Sequence, residues 1–530
     1  MSLRGALMQA RIPALVFFVA LIPRLIDLAS RPFWLDEVFT LQRATLPTAA
    51  LVHDSFANHH MPSYFLLLSP FIALGHPQFW LRLPSAAFGA LAVMLVYLIA
   101  ARIGGRLAGL VAALILGLSP TALAFSQEAR SYTMEMCLIL IALCGVTSLA
   151  SDVPRAALPL IRRDSMRVSW ALFLIGSIAA LDVLADGLPW VITANLIFAV
   201  MLCLTTRRRG LLLNFLAADG MIALFCAPFY VLMSLRQSSK FTDSLMWIPS
   251  LNIERFWYNI GSVYFMRVAD SVSFSFMEVS TPVALSWAID AALMIAVGLA
   301  VWRLARRPAL LAALGVSLVF LPLLFTIISI WHPILLPRYI LWSAAPFAVL
   351  AGIGVSYVMA LLPRRALAPA FAAIAVVLLV NMLPYYGAET KPRWDIAANL
   401  LAQDVAPGDV VLLNDLGALP VLRVYLPAGV QTVVLADSNG DIKHARAAQL
   451  QGKRIWAVFG FAGQTAAKTA WPEFYRKTAA LGTPEQIQVA GDRIYISLYE
   501  PAGRHLADNC GVPPAVVAKP AATTTPQVCS

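Results

Sequence analysis

Residues 62–75 read PSYFLLLSPFIALG. The stretch is apolar, but it is only 14 residues long and contains Pro70. A helix that crosses a bilayer needs about 20 apolar residues. Whether this stretch crosses decides which side of the membrane everything after it occupies. If it spans, every later loop changes sides. If it lies in the interface or re-enters on one face, the loops keep the alternation that their charges set. The placement of the basic residues is therefore the test.

The chain has 530 residues, is 60% hydrophobic and 13% charged, and has a mean hydropathy of +0.76. Soluble domains carry about 25% charged residues. The composition predicts a polytopic α-helical membrane protein with room for one further domain. Apolar runs fit to cross fall at roughly 11–30, 81–101, 107–125, 133–150, 169–186, 188–206, 211–233, 282–302, 309–330, 340–362 and 366–385, about 11 in all. Arg4 and Arg11 precede the first run, and Arg102 and Arg106 follow the second. Arg155, Arg162, Arg163 and Arg167 follow the fourth, and Arg207, Arg208 and Arg209 the sixth. Arg303, Arg306 and Arg307 follow the eighth, and Arg364 and Arg365 the tenth. Cytoplasmic loops collect Lys and Arg. The N-terminus is then cytoplasmic, and residues 31–80, 126–132, 234–281, 331–339 and the chain beyond 386 lie outside. Counting 62–75 as a span would invert this order, so it reads as an interfacial or re-entrant segment on the outer face.

The first run has no small-residue cleavage site and reads as an uncleaved helix. The net charge of +11 resides in the topology-setting loops, so nucleic acid is not an expected partner. Cys137, Cys144, Cys203 and Cys226 lie in apolar runs and read as core packing. No Cys/His spacing suggests a metal site.

After residue 386 the texture changes. DVVLLN (409–414), QTVVLA (431–436), RIWAVFG (454–460) and the pair QIQVA/RIYISLY around Gly491-Asp492 read as strands. Residues 395–405, 416–426, 441–450 and 470–480 read as helices between them. This alternation predicts a small C-terminal α/β domain, 386–508, with a largely parallel sheet. The membrane domain is then 1–385, with outer-face loops 31–80 and 234–281. No GxGxxG motif points to a nucleotide. The tail 509–530 has the composition of a disordered segment, bracketed by Cys510 and Cys529, which outside the cytoplasm either pair or stay as thiols.

Polar residues with chemistry collect in the outer loops. RPFWLDEVFT (31–40) sets Asp36 beside Glu37 directly after the first run. The stretch 51–64 holds His53, His59, His60 and Tyr64. SQEARSY (126–132) holds Glu128, Arg130 and Tyr132, and HPILLPRYILW (332–342) holds Arg338 and Tyr339. Carboxylates suit general-base work. The planar fork of arginine suits phosphate. Acids and arginines on one outer face point to a lipid phosphate as substrate. Each piece also has a plainer reading: a solvated acidic pair, a neutralised Glu128–Arg130 pair, an Arg338–Tyr339 interface anchor, packed histidines. Asp219 and Asp290 fall inside apolar runs, where acids are functional candidates by default; Asp219 stands near Asn214 or a water-filled cavity.

The order of these motifs resembles the glycosyltransferase C superfamily, above all its protein O-mannosyltransferase and aminoarabinose lipid A transferase branch. The matching elements are LDEVFT, HHMPSYFLLL, WLRLPSAAFGALAVMLVYLIAARIGG, LILGLSPTALAFSQEARSY and LPRYILW. They cover residues 10–140 well and 309–414 loosely. The resemblance implies an enzyme of a bacterial inner membrane, with its active site and C-terminal domain periplasmic. It implies a donor that is a sugar on polyprenyl phosphate, and no bound cofactor; a divalent metal stays open. Membrane lipids are the setting, and the acceptor is lipid A or lipopolysaccharide, another glycan, or a protein. Asp36 matches the family's base, which acts in a single inverting displacement, with Glu37 orienting it or holding donor. Arg130 and Arg338, with His60 and Tyr64, are then candidates to hold the donor phosphate; Glu128, Tyr132, His59 and Tyr339 complete the candidate set. The aminoarabinose branch usually has a Lys before a Pro-Pro-Leu-Tyr run. Here the run is His59-His60-Met61-Pro62-Ser63-Tyr64, so a histidine stands where that lysine contact would be. The competing class is a transporter or flippase of lipid-linked sugars, for which internal repeats and midplane broken helices are the expected marks.

Overall fold

Helices dominate the computed structural model, which describes residues 3–164, 166–184, 187–236, 248, 250–264, 283–387, 390–413, 418–426, 430–434, 452–460, 486–490 and 494–500. Among these residues seven helices are long and apolar enough to cross a membrane: Pro77–Gly104, Tyr132–Ser151, Arg208–Arg236, Trp287–Leu304, Pro308–Ile328, Leu341–Met359 and Arg364–Gly387. The pair Arg106–Gly117 and Pro120–Ser126, bent by 65°, makes an eighth if read as one span. The count falls short of 11 for a physical reason. Helices do form at the remaining positions, but Arg167–Val183 and Leu188–Leu204 have only 17 residues each, and Leu3–Leu25 is not among the seven. The stretch 62–75 forms a short helix, Ser63–Leu68, followed by a 3-10 turn, Ser69–Leu74, and is too short to cross.

By contacts the chain divides into two compact units. One comprises the membrane helices; the other joins residues 30–39 to the chain beyond residue 389. The first outer loop is thus divided, because its acidic segment packs with the C-terminal part.

Within the membrane unit, Tyr132–Ser151 and Leu341–Met359 are the most buried spans, and Arg364–Gly387 is the most exposed. Tyr132–Ser151 lies directly on Arg167–Val183. Gly145 faces the backbone of Ser169 and Phe173, and Gly176 faces that of Leu138 and Ala142, so a Cβ at either would collide with main chain. Small residues let membrane helices approach this closely. Cys137 and Cys226 are buried as expected, Cys144 is half-buried, and Cys203 is exposed, which removes it from the core. The Asn214 amide donates to the carbonyls of Ala156 and Leu158, each at 3.0 Å.

The C-terminal unit holds a five-stranded sheet: β1 Val410–Leu413, β2 Gln431–Val434, β3 Ile455–Phe459, β4 Gln486–Ala490 and β5 Ile494–Tyr499. Their order is β2-β1-β3-β5-β4. β1 pairs in parallel with β2 and β3, whereas β5 pairs antiparallel with β3 and β4. The sheet is therefore mixed rather than largely parallel. Parallel pairs need long crossovers, but β4 and β5 are too close in sequence to be anything but a hairpin. Helix Trp394–Asp404 buries Trp394, Ala397, Ala398 and Leu401, the repeat of one apolar helical stripe. The expected helices at 441–450 and 470–480, the tail 509–530, Cys510 and Cys529 lie outside the described residues.

Candidate functional site

The acidic segment belongs to the C-terminal unit. Pro32, Phe33 and Trp34 are buried, and helix Leu35–Ala44 starts directly after them. Asp36 and Glu37 occupy its first turn, where the helix dipole favours carboxylates. Two of its contacts show how the segment is fastened. The Phe33 N–H donates to the Tyr425 hydroxyl at 2.7 Å, and the Lys391 ammonium donates to Glu37 Oε2 at 2.6 Å. Glu37 is fully buried and Lys391 nearly so. Removing either charge alone would strand the other away from water. Asp36, next to it, is only half-buried. The adjacent acids therefore occupy different environments.

The arginines and histidines belong to the membrane unit. Helix Thr48–Ala57 ends in a Schellman motif. The His59 N–H donates to Phe56 O at 3.3 Å and the His60 N–H to Ser55 O at 2.8 Å, with His59 left-handed at φ 59°. Glycine normally fills that position. His59 thus serves the turn that delivers His60. Burial, followed by the electrostatic influence of Arg130, Arg43, His59 and Arg338, pushes the His60 imidazole well below its ordinary value. His60 is neutral at pH 7 and offers hydrogen bonds rather than charge.

The same field brings Arg130, Arg338 and Arg43 to one neighbourhood. Arg130 and Arg338 are both buried. The Arg130 guanidinium lies 5.7 Å from the ring centre of Tyr132, and that of Arg338 lies 5.0 Å from Tyr339. Such stacking holds a guanidinium plane in place. Arg43 pairs with Asp54 at 2.6 Å and sits 5.2 Å from the Phe65 ring centre, while the His60 ring meets the same Phe65 edge-to-face. Tyr64 is buried. Its hydroxyl bonds Ser85 Oγ at 2.7 Å, and Ser85 Oγ donates to the Arg130 carbonyl at 2.9 Å. Tyr64 therefore braces the backbone that carries Arg130.

SQEARSY is wholly buried. Arg24, itself fully buried, donates to Ser126 Oγ at 3.1 Å and to the carbonyls of Ala20 and Gly117. The Gln127 amide donates to Ile26 O at 2.6 Å and accepts from the Tyr385 hydroxyl at 2.8 Å. Ser126 and Gln127 anchor the motif, and Glu128 is buried behind it. Among the described residues no three His, Cys, Asp or Glu side chains gather into a group that could hold a metal.

Sequence reading missed Arg43, Ser85 and Lys391. Arg43 closes the helix that Asp36 opens, and Lys391 is the lysine that follows the last apolar run. Ser85 carried no signal.

Residues 59–160 match the family model for dolichyl-phosphate-mannose-protein mannosyltransferases, a span that includes His59, His60, Tyr64, Glu128, Arg130 and Tyr132. The fold is similar to that of ArnT from Cupriavidus metallidurans in the apo state. The TM-score is 0.59 at 15% identity, covering 93% of this chain and 98% of that one. Against ArnT bound to undecaprenyl phosphate it is 0.52 at 17% identity, covering 92% and 97%. Against the oligosaccharyltransferase of Archaeoglobus fulgidus it is 0.50 at 14% identity, covering 88% and 69%. No curated protein matches the chain. The resemblance to the glycosyltransferase C superfamily is borne out: its family model matches the segment, and its fold extends over nearly the whole chain.

Proposed function

We propose that this chain is an integral membrane glycosyltransferase that moves a sugar from a polyprenyl-phosphate carrier to an acceptor on the periplasmic face of a bacterial inner membrane. The observation that carries this reading is the gathering of Arg130, Arg338 and Arg43 around a neutral His60. Guanidinium groups clustered in this way suit a phosphate, because each can bind two of its oxygens at a time. ArnT, solved with undecaprenyl phosphate, supports a polyprenyl carrier. The arginine-rich loops support about 11 spans, a cytoplasmic N-terminus and a periplasmic C-terminal α/β domain.

The chemistry follows from the side chains. Asp36 takes the proton of the acceptor hydroxyl. The oxygen attacks the anomeric carbon as the carbon–oxygen bond to phosphate breaks, and the bonding pair leaves on the lipid phosphate. The anomeric centre inverts in this single displacement. Arg130 and Arg338 hold the phosphate and stabilise the charge that grows on it. His60 contributes a hydrogen bond. Glu37, neutralised by Lys391, holds the segment that presents Asp36 and takes no proton.

Lipid and glycan profiling of a deletion strain tests the function. The expected result is a glycan or lipid lacking one sugar, with accumulated polyprenyl-phosphate sugar. An unchanged envelope would overturn the reading. Accumulation restored by wild type but not by Asp36→Asn ties the loss to chemistry.

A further inference from the structure

At the opposite end of helix Tyr132–Ser151 from Tyr132 lies a second basic site. A cavity of about 490 Å³ is lined by Arg102, Ser148, Arg163, Met166, Arg167, Val168 and Ser169. Ser148 is about 24 Å along the helix from Tyr132, so this is not the donor-phosphate region. None of the lining residues is acidic. Three arginines line one space, and like charges gathered in one place repel. The hydroxyls of Ser148 and Ser169 are buried and 2.6 Å apart, so the floor is polar and built.

Helix Arg167–Val183 adds to the positive field. Its N-cap, Met166, makes no side-chain cap bond, and its first turn contains no acidic residue. The partial positive charge of that helix terminus adds to the field of the arginines. Placing Arg167 there runs against the dipole, a cost that an anion would offset. Within the same loop, Arg167 also holds the Arg162 carbonyl at 3.1 Å, and Arg155 holds the Asp164 carbonyl at 3.2 Å, so the loop is shaped by arginine rather than loose.

The surroundings select the kind of anion. Ile161 is 89% exposed and Val168 is 74% exposed beside the arginines, and Ile175, two turns along the same face, is 62% exposed. An apolar stripe that runs from a cationic cavity along a membrane helix fits a molecule with a phosphate head and an acyl tail. We propose that this cavity binds the phosphate headgroup of an anionic phospholipid, with a chain along Val168 and Ile175. Basic pockets at the membrane surface between spanning helices recognise such headgroups. The proposal is independent of the transferase reading.

The test uses the full chain in nanodiscs of phosphatidylcholine, with phosphatidylglycerol titrated in. Retained phosphatidylglycerol is counted by native mass spectrometry. The variant Arg102→Gln/Arg163→Gln/Arg167→Gln should weaken retention by about tenfold or more. The control Arg207→Gln/Arg208→Gln/Arg209→Gln removes the same charge from another loop and should weaken it less than about threefold. Equal losses would mean a general attraction of basic loops to anionic lipid and would overturn the site. Inorganic phosphate forms the second arm. If it stabilises the protein against heat as much as phosphatidylglycerol does, the lipid assignment fails. Should the triple variant not fold, Arg163→Gln alone, in the exposed loop, must show a partial loss; unchanged retention would overturn the site.

Discussion

Lys391 Nζ stands 2.6 Å from Glu37 Oε2, and neither side chain is more than 4% exposed. This pair separates two adjacent carboxylates that look equivalent in sequence. Glu37 is committed to a buried partner, whereas Asp36 remains half-buried beside it.

Breaking the pair should therefore affect stability more than chemistry. Glu37→Gln or Lys391→Met alone strands a buried charge and should cost about 3–5 kcal/mol. The double variant should cost clearly less than the sum. Thermal unfolding of all three in detergent measures the coupling. Additive losses would show that the pair carries no energy.

Asp36→Asn keeps the shape and removes the basicity. Activity should fall by about 10²–10⁴-fold with donor binding retained. Transfer assays on membrane-inserted protein give the rate, and donor-protection experiments give the binding. If Asp36→Asn turns over normally, proton transfer lies elsewhere.

Arg130→Ala and Arg338→Ala should raise the donor KM strongly while insertion is unchanged. Lysine at either position should restore the charge but not the two-oxygen grip or the stacking on Tyr132 and Tyr339, so rescue should be partial. Wild-type donor affinity in both alanine variants would reduce these residues to anchors.

His60 makes a pH prediction whose sign is fixed. Its folded-state pKa is lowered, so the unfolded chain binds the proton more readily. Stability is then full above about pH 6.5, the ordinary histidine value, and is lost as pH falls through it toward the folded value. The slope for one histidine is at most about 1.4 kcal/mol per pH unit. His60→Gln should flatten the melting temperature between neutral and mildly acid pH. An unchanged acid slope would remove His60 from the account.

His59 should answer to backbone geometry. It is left-handed at φ 59°, a conformation that costs a residue with a Cβ about 1–2 kcal/mol. His59→Gly should stabilise the protein by about 1 kcal/mol without lowering turnover. A loss of activity would show that its imidazole does chemistry.

Much of the fold was legible because membrane helices obey one-dimensional rules. Length and hydropathy locate the spans, and PSYFLLLSPFIALG stays too short whatever surrounds it. All five strands were legible as β-branched runs, but their pairing was not, since the antiparallel β3–β5 pair joins distant segments. The candidate side chains were legible by type and loop. Their partners were not. Nothing local to Glu37 names Lys391, and nothing in HHMPSY announces that His59 closes a helix while His60 is held neutral by burial and by arginines from three other segments.

The Glu37–Lys391 pair also sets a clock. Its partners are 354 residues apart. At about 5–20 residues per second, the ribosome delivers Lys391 roughly 20–70 s after Glu37. For that interval the acidic segment has emerged without the cation that lets Glu37 be buried. Its final packing waits until nearly all of the membrane helices have been synthesised. A nascent chain is thereby kept from presenting Asp36 in its finished setting before insertion is almost done. A chain stopped short of residue 391 would insert its helices and still lack the anchored acid.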